Sequence, residues 1–208
     1  AKMYINKYFA GIPKSANAVY RPRIVEPALM AEIRDTIYDN IQLPAIIQAF
    51  NLPPMKHADI PAFELLSTYL TGGKSSLLTK EIVDKQQKAL AVIAMPYVLE
   101  DGGVFLLYGI ANMGVAADAV ENAINEQIEI VRANGISEAD FDKLKAQVES
   151  STVNSLGSMA TIASELGSAK IFYGDADQIN RKLENYNKVT RADIQRVAQQ
   201  YLGKEGRV

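Results

Sequence analysis

The sequence contains no cysteine and only one histidine, and this scarcity excludes several classes of protein chemistry. Without cysteine there can be no disulfide, no thiolate–zinc site and no cysteine nucleophile. His57 is the single imidazole, so a zinc site would have to be completed almost entirely by carboxylates. We therefore expect no metal site in this chain, and most histidine-based catalysis is nearly excluded.

A charge excess and a long apolar run are also missing. The 22 Lys and Arg residues nearly balance 24 Asp and Glu, leaving a net charge of -2, which argues against a nucleic-acid partner. No run approaches the ~18 apolar residues of a membrane span, and no signal-peptide core is present. The composition leaves the compartment open between cytoplasm and periplasm.

What is present suffices for a hydrophobic core, since 48% of the 208 residues are hydrophobic. No proline- or serine-rich linker divides the chain, so residues 1–208 are expected to form a single domain. The chain begins in what resembles the tail of an amphipathic helix, with Ile5, Tyr8 and Phe9 at helical spacing. We expect it to be a fragment of a longer protein.

The hydrophobic pattern predicts strands first and helices later. Three strands are predicted at residues 21–25, 32–38 and 45–50, the last of them central, and a hairpin joins strands 89–99 and 104–110. Asp59 is predicted to cap a helix that ends at Gly72-Gly73, and Ser75 or Ser76 to cap the next. Ser137 and Thr190 are predicted caps of later helices, which Gly157 and Gly167 should bend or break. Strands clustered apart from helices indicate an α+β fold, an antiparallel β-sheet covered by helices on one face.

Each candidate chemical motif has a structural interpretation that we favour. Gly73-Lys74-Ser75 resembles part of a phosphate-binding loop, but Thr68 stands where the first glycine belongs and the loop would follow a helix. His57 lies in a proline-flanked loop, which is typical of an ordinary surface histidine. A Ser-His-Asp triad is compatible with the composition, yet no Gly-x-Ser-x-Gly motif nominates a serine.

Taken together, several segments resemble one known family, although none is specific alone. They are INKYFAGIP (residues 5–13), DIPAFELLSTYLTGG with SSLL (59–73 and 75–78), GVFL (103–106), GISEADF (135–141) and VTRADIQRVAQQYL (189–202). In order and spacing they are similar to the C-terminal, non-catalytic half of pitrilysin/insulinase-type zinc peptidases and their mitochondrial-processing-peptidase relatives. The resemblance covers nearly the whole chain.

This resemblance implies a LuxS/MPP-like metallohydrolase half-domain and a bacterial peptidase of clam-shell form. Its two homologous halves would enclose a chamber in which unfolded peptides are cut. The other half, in cis or as a separate subunit, would hold zinc through an inverted His-x-x-Glu-His motif. The partners of this chain would be that catalytic half and a peptide substrate, and the chain could also form a dimer.

The resemblance also implies roles for particular residues. Gly72, Gly73 and Lys74 align with a glycine-rich region that helps to retain substrate in non-catalytic relatives. Leu77 and Leu90 stand where many active relatives have an Arg and a Tyr that hold substrate near zinc. Their loss predicts a wall or scaffold role, with no catalytic residue and no metal ligand in this chain.

Three hypotheses follow. The first is the metal-free, chamber-forming half of a zinc metalloendopeptidase, inactive by itself. The second is a non-peptidase structural or assembly subunit on the same fold. The third, from another class, is a small-molecule or nucleotide-binding domain built around Gly72 to Ser76.

Overall fold

The computed structural model describes residues 1–18, 20, 22, 27 and 29–208. The elements are, in order, α1 (Lys2–Phe9), β1 (Ala45–Leu52), α2 (Ile60–Thr71), a π-helical segment (Thr79–Lys85), β2 (Ala89–Val98), β3 (Gly103–Ala111), α3 (Ala117–Asn134), α4 (Glu138–Ser155), α5 (Met159–Ser168), a π-helical turn (Ala169–Tyr173), α6 (Gln178–Lys188), α7 (Arg191–Tyr201) and a 3-10 turn (Lys204–Gly206). The predicted α+β class is confirmed. The strand predicted at residues 21–25 lies, Pro22 apart, outside the described residues.

The three strands form one antiparallel sheet in the order β1-β3-β2. The predicted hairpin is confirmed: the Leu99 N–H donates to the Gly102 carbonyl at 2.7 Å, and β2 then pairs with β3. The strand predicted at residues 45–50 is present, but its central position is wrong, because β3 lies between β1 and β2. On its outer side, β1 exchanges backbone hydrogen bonds of 2.9 and 3.0 Å between Ala49 and Val208.

The core lies between one face of this sheet and helices α2, α3 and α7. α3 places Val120, Ile124 and Ile128 on a single stripe, as predicted, and all three are buried. The helix can approach β3 closely at Gly109, where a Cβ atom would lie 2.8 Å from Cγ1 of Val120. Phe63 of α2 packs its ring 5.8 Å from that of Phe105. By contrast, α1 has no buried residue.

The predicted strand at residues 32–38 is wrong. This segment has no regular secondary structure and pairs with no strand among the described residues; its one backbone hydrogen bond to the C-terminal residues runs from the Ile33 N–H to the Arg207 carbonyl at 3.0 Å. Its alternating pattern has another use, since Glu32 and Arg34 both form ion pairs with charged groups of the core's edge. Glu32 and Arg34 therefore belong to a charged cluster and not to a sheet ladder.

Most helix ends follow the predictions, although Asp59 makes no side-chain capping bond at the start of α2. The hydroxyls of Ser137 and Thr190 accept from backbone N–H groups three residues later, so both predicted caps are confirmed. Gly157 lies at the break between α4 and α5, as expected, whereas Gly167 is inside α5 and does not interrupt it. The helix predicted after Ser75 or Ser76 is π-helical from Thr79 onward, so its backbone hydrogen bonds span five residues instead of four.

Candidate functional site

The sheet face opposite the core is open among the residues that the structure describes, and it is apolar. The register aligns Ile47 of β1 with Tyr108 of β3 and Ile93 of β2 in one row across the sheet. The next row contains Ala49, Leu106 and Met95. Ile47, Ile93 and Met95 retain 60%, 47% and 45% of their accessible surface. The open side of an antiparallel sheet is ordinarily polar, so this face is unusual.

β3 shows the same property along its length. Phe105 and Leu107 are fully buried towards the helices, while Val104, Leu106, Tyr108 and Ile110 alternate with them towards the open side. A strand that is apolar on both sides is typical of one buried on both faces. The open face therefore has the composition of a surface that something else covers or binds.

The outer edge of β2 is closed by α2. The Thr71 hydroxyl oxygen accepts from the Ala94 N–H at 2.9 Å, and the Ser67 hydroxyl donates to the Ala94 carbonyl at 2.7 Å. Pro96, two residues further along the same edge, has no N–H to offer. This arrangement blocks strand addition there and fastens the last turn of α2 to the sheet.

The three predicted loop residues follow directly from that last turn. Gly72 ends α2, its N–H bonded to the Thr68 carbonyl at 2.8 Å; a Cβ atom here would lie 2.4 Å from that carbonyl oxygen. Gly73 has a φ of +146°, a conformation that favours glycine, and open space where a side chain would be. Lys74 is exposed, and its ammonium group forms no ion pair within the described ranges.

Two polar side chains of α4 hold this glycine-rich turn, which we define as residues 72–76. The Gln147 side-chain amide donates to the Gly72 carbonyl at 2.6 Å, and Lys143 Nζ donates to the Ser75 hydroxyl at 2.6 Å. Sequence reasoning missed both residues. Their spacing of four, which puts them on one helix face, was the available signal.

The two positions expected to have lost polar residues are apolar side chains in different settings. Leu77 is partly buried and packs against the core. Leu90 lies at the bulge where β2 begins and is 54% exposed. Neither can donate a hydrogen bond or carry charge.

Asp59 is part of a polar cluster instead of a helix cap. Its side chain makes no capping bond; it accepts two hydrogen bonds from Arg196, at 2.6 and 3.1 Å, and one from the Tyr201 hydroxyl at 3.2 Å. The Arg196 guanidinium holds the pKa of Asp59 below its ordinary value, against the opposing effect of burial. His57 Nδ1 accepts from the Asp59 N–H at 3.2 Å, so the single histidine belongs to this structural cluster.

A cavity of about 670 Å³ lies between this cluster and helices α5 and α6. On its wall the Tyr186 hydroxyl donates to Glu64 at 2.6 Å, and burial raises the pKa of Tyr186. Its charged groups of both signs are mostly paired with one another, as in the pair of Asp59 with Arg196.

Residues 1–18, 20, 22, 27 and 29–208 contain no group of three or more His, Asp or Glu side chains placed to hold a metal ion. In the same part of the chain no helix is both long enough and apolar enough to cross a bilayer.

The sequence matches a known protein family and is similar to several individual proteins. A family profile described as "Peptidase M16 inactive domain" matches residues 1–148. The chain is 29% identical over 164 residues to zinc protease PqqE of Helicobacter pylori (strain ATCC 700392 / 26695), covering 79% of this chain and 37% of that protein. It is 25% identical over 179 residues to cytochrome b-c1 complex subunit 2, mitochondrial, of Rattus norvegicus, covering 82% and 39%.

Among solved structures, the fold superposes with a TM-score of 0.91 on a protease from Helicobacter pylori at 24% identity, covering 99% of this chain and 50% of that one. The chain thus spans half, or less, of the length of these proteins.

Proposed function

The chain belongs to the Peptidase M16 inactive domain family, and on that premise we propose that it forms the non-catalytic half of a peptide-cutting chamber. In this proposal a homologous half, in the same chain or in a separate subunit, supplies zinc and the chemistry. Zinc proteases among the relatives support the assignment, and relatives from bacteria support a bacterial origin.

The open apolar sheet face is the observation that carries the proposal. The six side chains of its two central rows carry no charge, and only the Tyr108 hydroxyl among them is a strong hydrogen-bonding group. Covering one such half-exposed side chain is worth about 1 kcal/mol. A wall of this kind suits the other half and unfolded peptides with apolar side chains, because both gain from removing apolar surface from water.

The glycine-rich turn would contact the peptide beside that wall. The backbone N–H groups of Lys74 and Ser75 have no backbone acceptor in the described residues, and Lys74 is a free cation. N–H groups and an ammonium group are suitable donors for peptide carbonyl and carboxylate oxygens. Gly72 and Gly73 add no side chain that would block such an approach.

Leu77 and Leu90 support a role without chemistry. An apolar side chain cannot stabilise the oxyanion that forms when a peptide carbonyl is attacked. This half would therefore bind and enclose the substrate, while the zinc-bearing half performs the reaction.

The test uses this chain together with its zinc-bearing half, assayed with an internally quenched peptide of mixed sequence. Met95→Asp in the open face should raise KM or abolish cleavage, because it places a charge where an apolar surface meets its partner. Ile130→Asp is the matched control, since Ile130 of α3 is similarly exposed, at 44%, away from the sheet.

The 208-residue chain by itself should bind no zinc in equilibrium dialysis and cleave no peptide. Stoichiometric zinc together with cleavage by this chain alone would overturn the proposal. So would equal activity of the wild-type and Met95→Asp proteins.

A second candidate is a structural subunit without peptidase activity, favoured by the similarity to cytochrome b-c1 complex subunit 2. It predicts a stable complex with a homologous half that holds no zinc. Metal analysis of the purified complex decides between the two.

A further inference from the structure

We infer that Gln147 and Lys143 of α4 are positioning residues that hold the glycine-rich turn in place for substrate. This inference rests on the proposed function, because it deepens the role of the same turn. The two residues would touch the turn and not the substrate.

The turn is fixed at both of its ends. At its start, Thr71 bonds to Ala94 of β2, and the Gly72 carbonyl receives the Gln147 amide at 2.6 Å. At its end, the Ser76 hydroxyl donates to the Gly73 carbonyl at 2.6 Å, and Lys143 Nζ holds the Ser75 hydroxyl. Lys74 and the outward side of Gly73 remain uncommitted between these anchors.

The α4 contacts add to the turn's own hydrogen bonds, which run from the Gly73 N–H to the Thr71 carbonyl at 2.9 Å and from the Ser76 N–H to the Gly73 carbonyl at 3.0 Å. Gly72 and Gly73 have large conformational freedom in the unfolded chain and in a released loop. Neither has a side chain that could pack and hold it, and the whole stretch from Gly72 to Ser75 is exposed. Without the bonds from α4, only these internal bonds would restrain the turn, and the cost of ordering it on binding would weaken its affinity for a peptide.

Gln147 and Lys143 can do this because α4 itself is firmly placed. Leu144 and Val148 of the same helix are buried in the core, so the polar face that carries positions 143 and 147 has a fixed orientation. Because α4 is packed against the core, the side chains of Gln147 and Lys143 can hold the exposed turn in a fixed position.

The first experiment measures the turn directly in this chain, without any assumption about peptidase activity. Limited trypsin digestion is followed at the Lys74–Ser75 bond, with cleavage after exposed Lys14 as the internal reference. Gln147→Ala should speed cleavage after Lys74 by about two- to tenfold relative to that reference, the range expected for loss of one exposed hydrogen bond. Glu149→Ala, an exposed change on the same helix, should leave the ratio unchanged.

The second experiment uses the chain with its zinc-bearing half and the quenched peptide. Gln147→Ala and Lys143→Ala should each raise KM by about two- to tenfold while kcat changes less than twofold, because the zinc lies elsewhere. Lys143→Arg, which keeps a cationic donor, should restore KM. Thermal unfolding of each variant establishes that the fold is intact.

The outcomes separate the two proposals. An unchanged trypsin ratio in Gln147→Ala overturns the positioning role, whatever the peptidase assay shows. A higher ratio of cleavage after Lys74 to cleavage after Lys14, with an unchanged KM, also overturns it. In that case α4 would hold the turn, but the turn would not contribute to substrate binding. If the trypsin ratio rises in Gln147→Ala but the complex contains no zinc and cleaves no peptide, the anchoring is confirmed and the proposed peptidase function is refuted.

Discussion

Replacing Glu121 by glutamine tests the charge cluster that joins Glu32 and Arg34 to α3 and to Arg207 near the C-terminus. Arg207 is only 4% exposed and donates to Glu32, to Asn125 and to Glu121, at 2.7, 2.7 and 2.9 Å. Glu121, in α3, also accepts two hydrogen bonds from Arg34, at 2.8 and 2.6 Å. Glu121 is thus the carboxylate shared by two guanidinium groups.

The expected loss follows from this geometry. Breaking a buried ion pair by removing one partner costs about 3–5 kcal/mol, and a hydrogen bond to a charged group is worth about 1.5–3 kcal/mol. Glutamine keeps one acceptor oxygen, and Glu32 still neutralises Arg207. We therefore expect Glu121→Gln to lower the free energy of unfolding by about 3 kcal/mol, which for a chain of this length corresponds to about 6–12 °C in Tm.

The pH dependence supplies a second measurement. Hydrogen bonds from Arg34 hold the pKa of Glu121 below its ordinary value of 4.5, against the effect of burial. A carboxyl group with a depressed pKa contributes stability above its unfolded pKa and loses that contribution as the pH falls through the folded value. The difference in the free energy of unfolding between wild type and Glu121→Gln should therefore be constant near neutral pH. It should become smaller as the pH falls below about 4.5.

The assay is urea and thermal unfolding of the 208-residue chain, followed by circular dichroism. Glu126→Gln is the matched control, because Glu126 is exposed on the same helix and should lose less than about 0.5 kcal/mol. A loss below about 1 kcal/mol for Glu121→Gln, or an equal loss in the control, would refute the reasoning.

Three further predictions concern individual sites. Arg196→Met should destabilise the chain by about 2 kcal/mol at neutral pH, because it leaves the buried Asp59 carboxylate without its cation. This loss of stability should become smaller in acid, where the carboxylate is protonated. A loss in urea unfolding that does not change with pH would contradict the prediction. Thr190→Ala removes a cap and should lower the free energy of unfolding by about 1 kcal/mol, measurable in the same way and contradicted by an unchanged midpoint. Gly167→Ala should raise stability by about 0.5–1 kcal/mol, since the glycine lies inside α5 with no atom within 4 Å of the new methyl group; a lower Tm would show that the site is not free.

Local patterns were sufficient for most helices and for the hairpin. The stripe of Val120, Ile124 and Ile128 and the caps at Ser137 and Thr190 depend on residues a few positions apart, so they are visible in the sequence. The segment at residues 32–38 was misassigned for the opposite reason. Its partners, Glu121 and Arg207, lie 87 and 175 residues away along the chain.

In the candidate site, too, local features could be predicted from the sequence and contacts between distant residues could not. The glycine-rich turn could be located from Gly72 and Gly73 and from the resemblance around it. Its attachment to Gln147 is a contact across 75 residues, and no local rule predicts which polar side chain of a later helix will reach a given carbonyl. The apolar character of β3 on both sides was present in the sequence, but the run of residues 104–110 was interpreted only as a strand.

The α+β class, the hairpin, the caps at Ser137 and Thr190 and the scarcity of metal ligands could be read from the amino-acid order alone, because propensity, periodicity and composition act over short distances. Three features became visible only in the folded chain: which face of the sheet stays open, that β3 and not β1 is central, and that Asp59 pairs with Arg196 instead of capping α2. These features depend on which distant segments meet, and that choice is made by packing and by the pairing of buried charges.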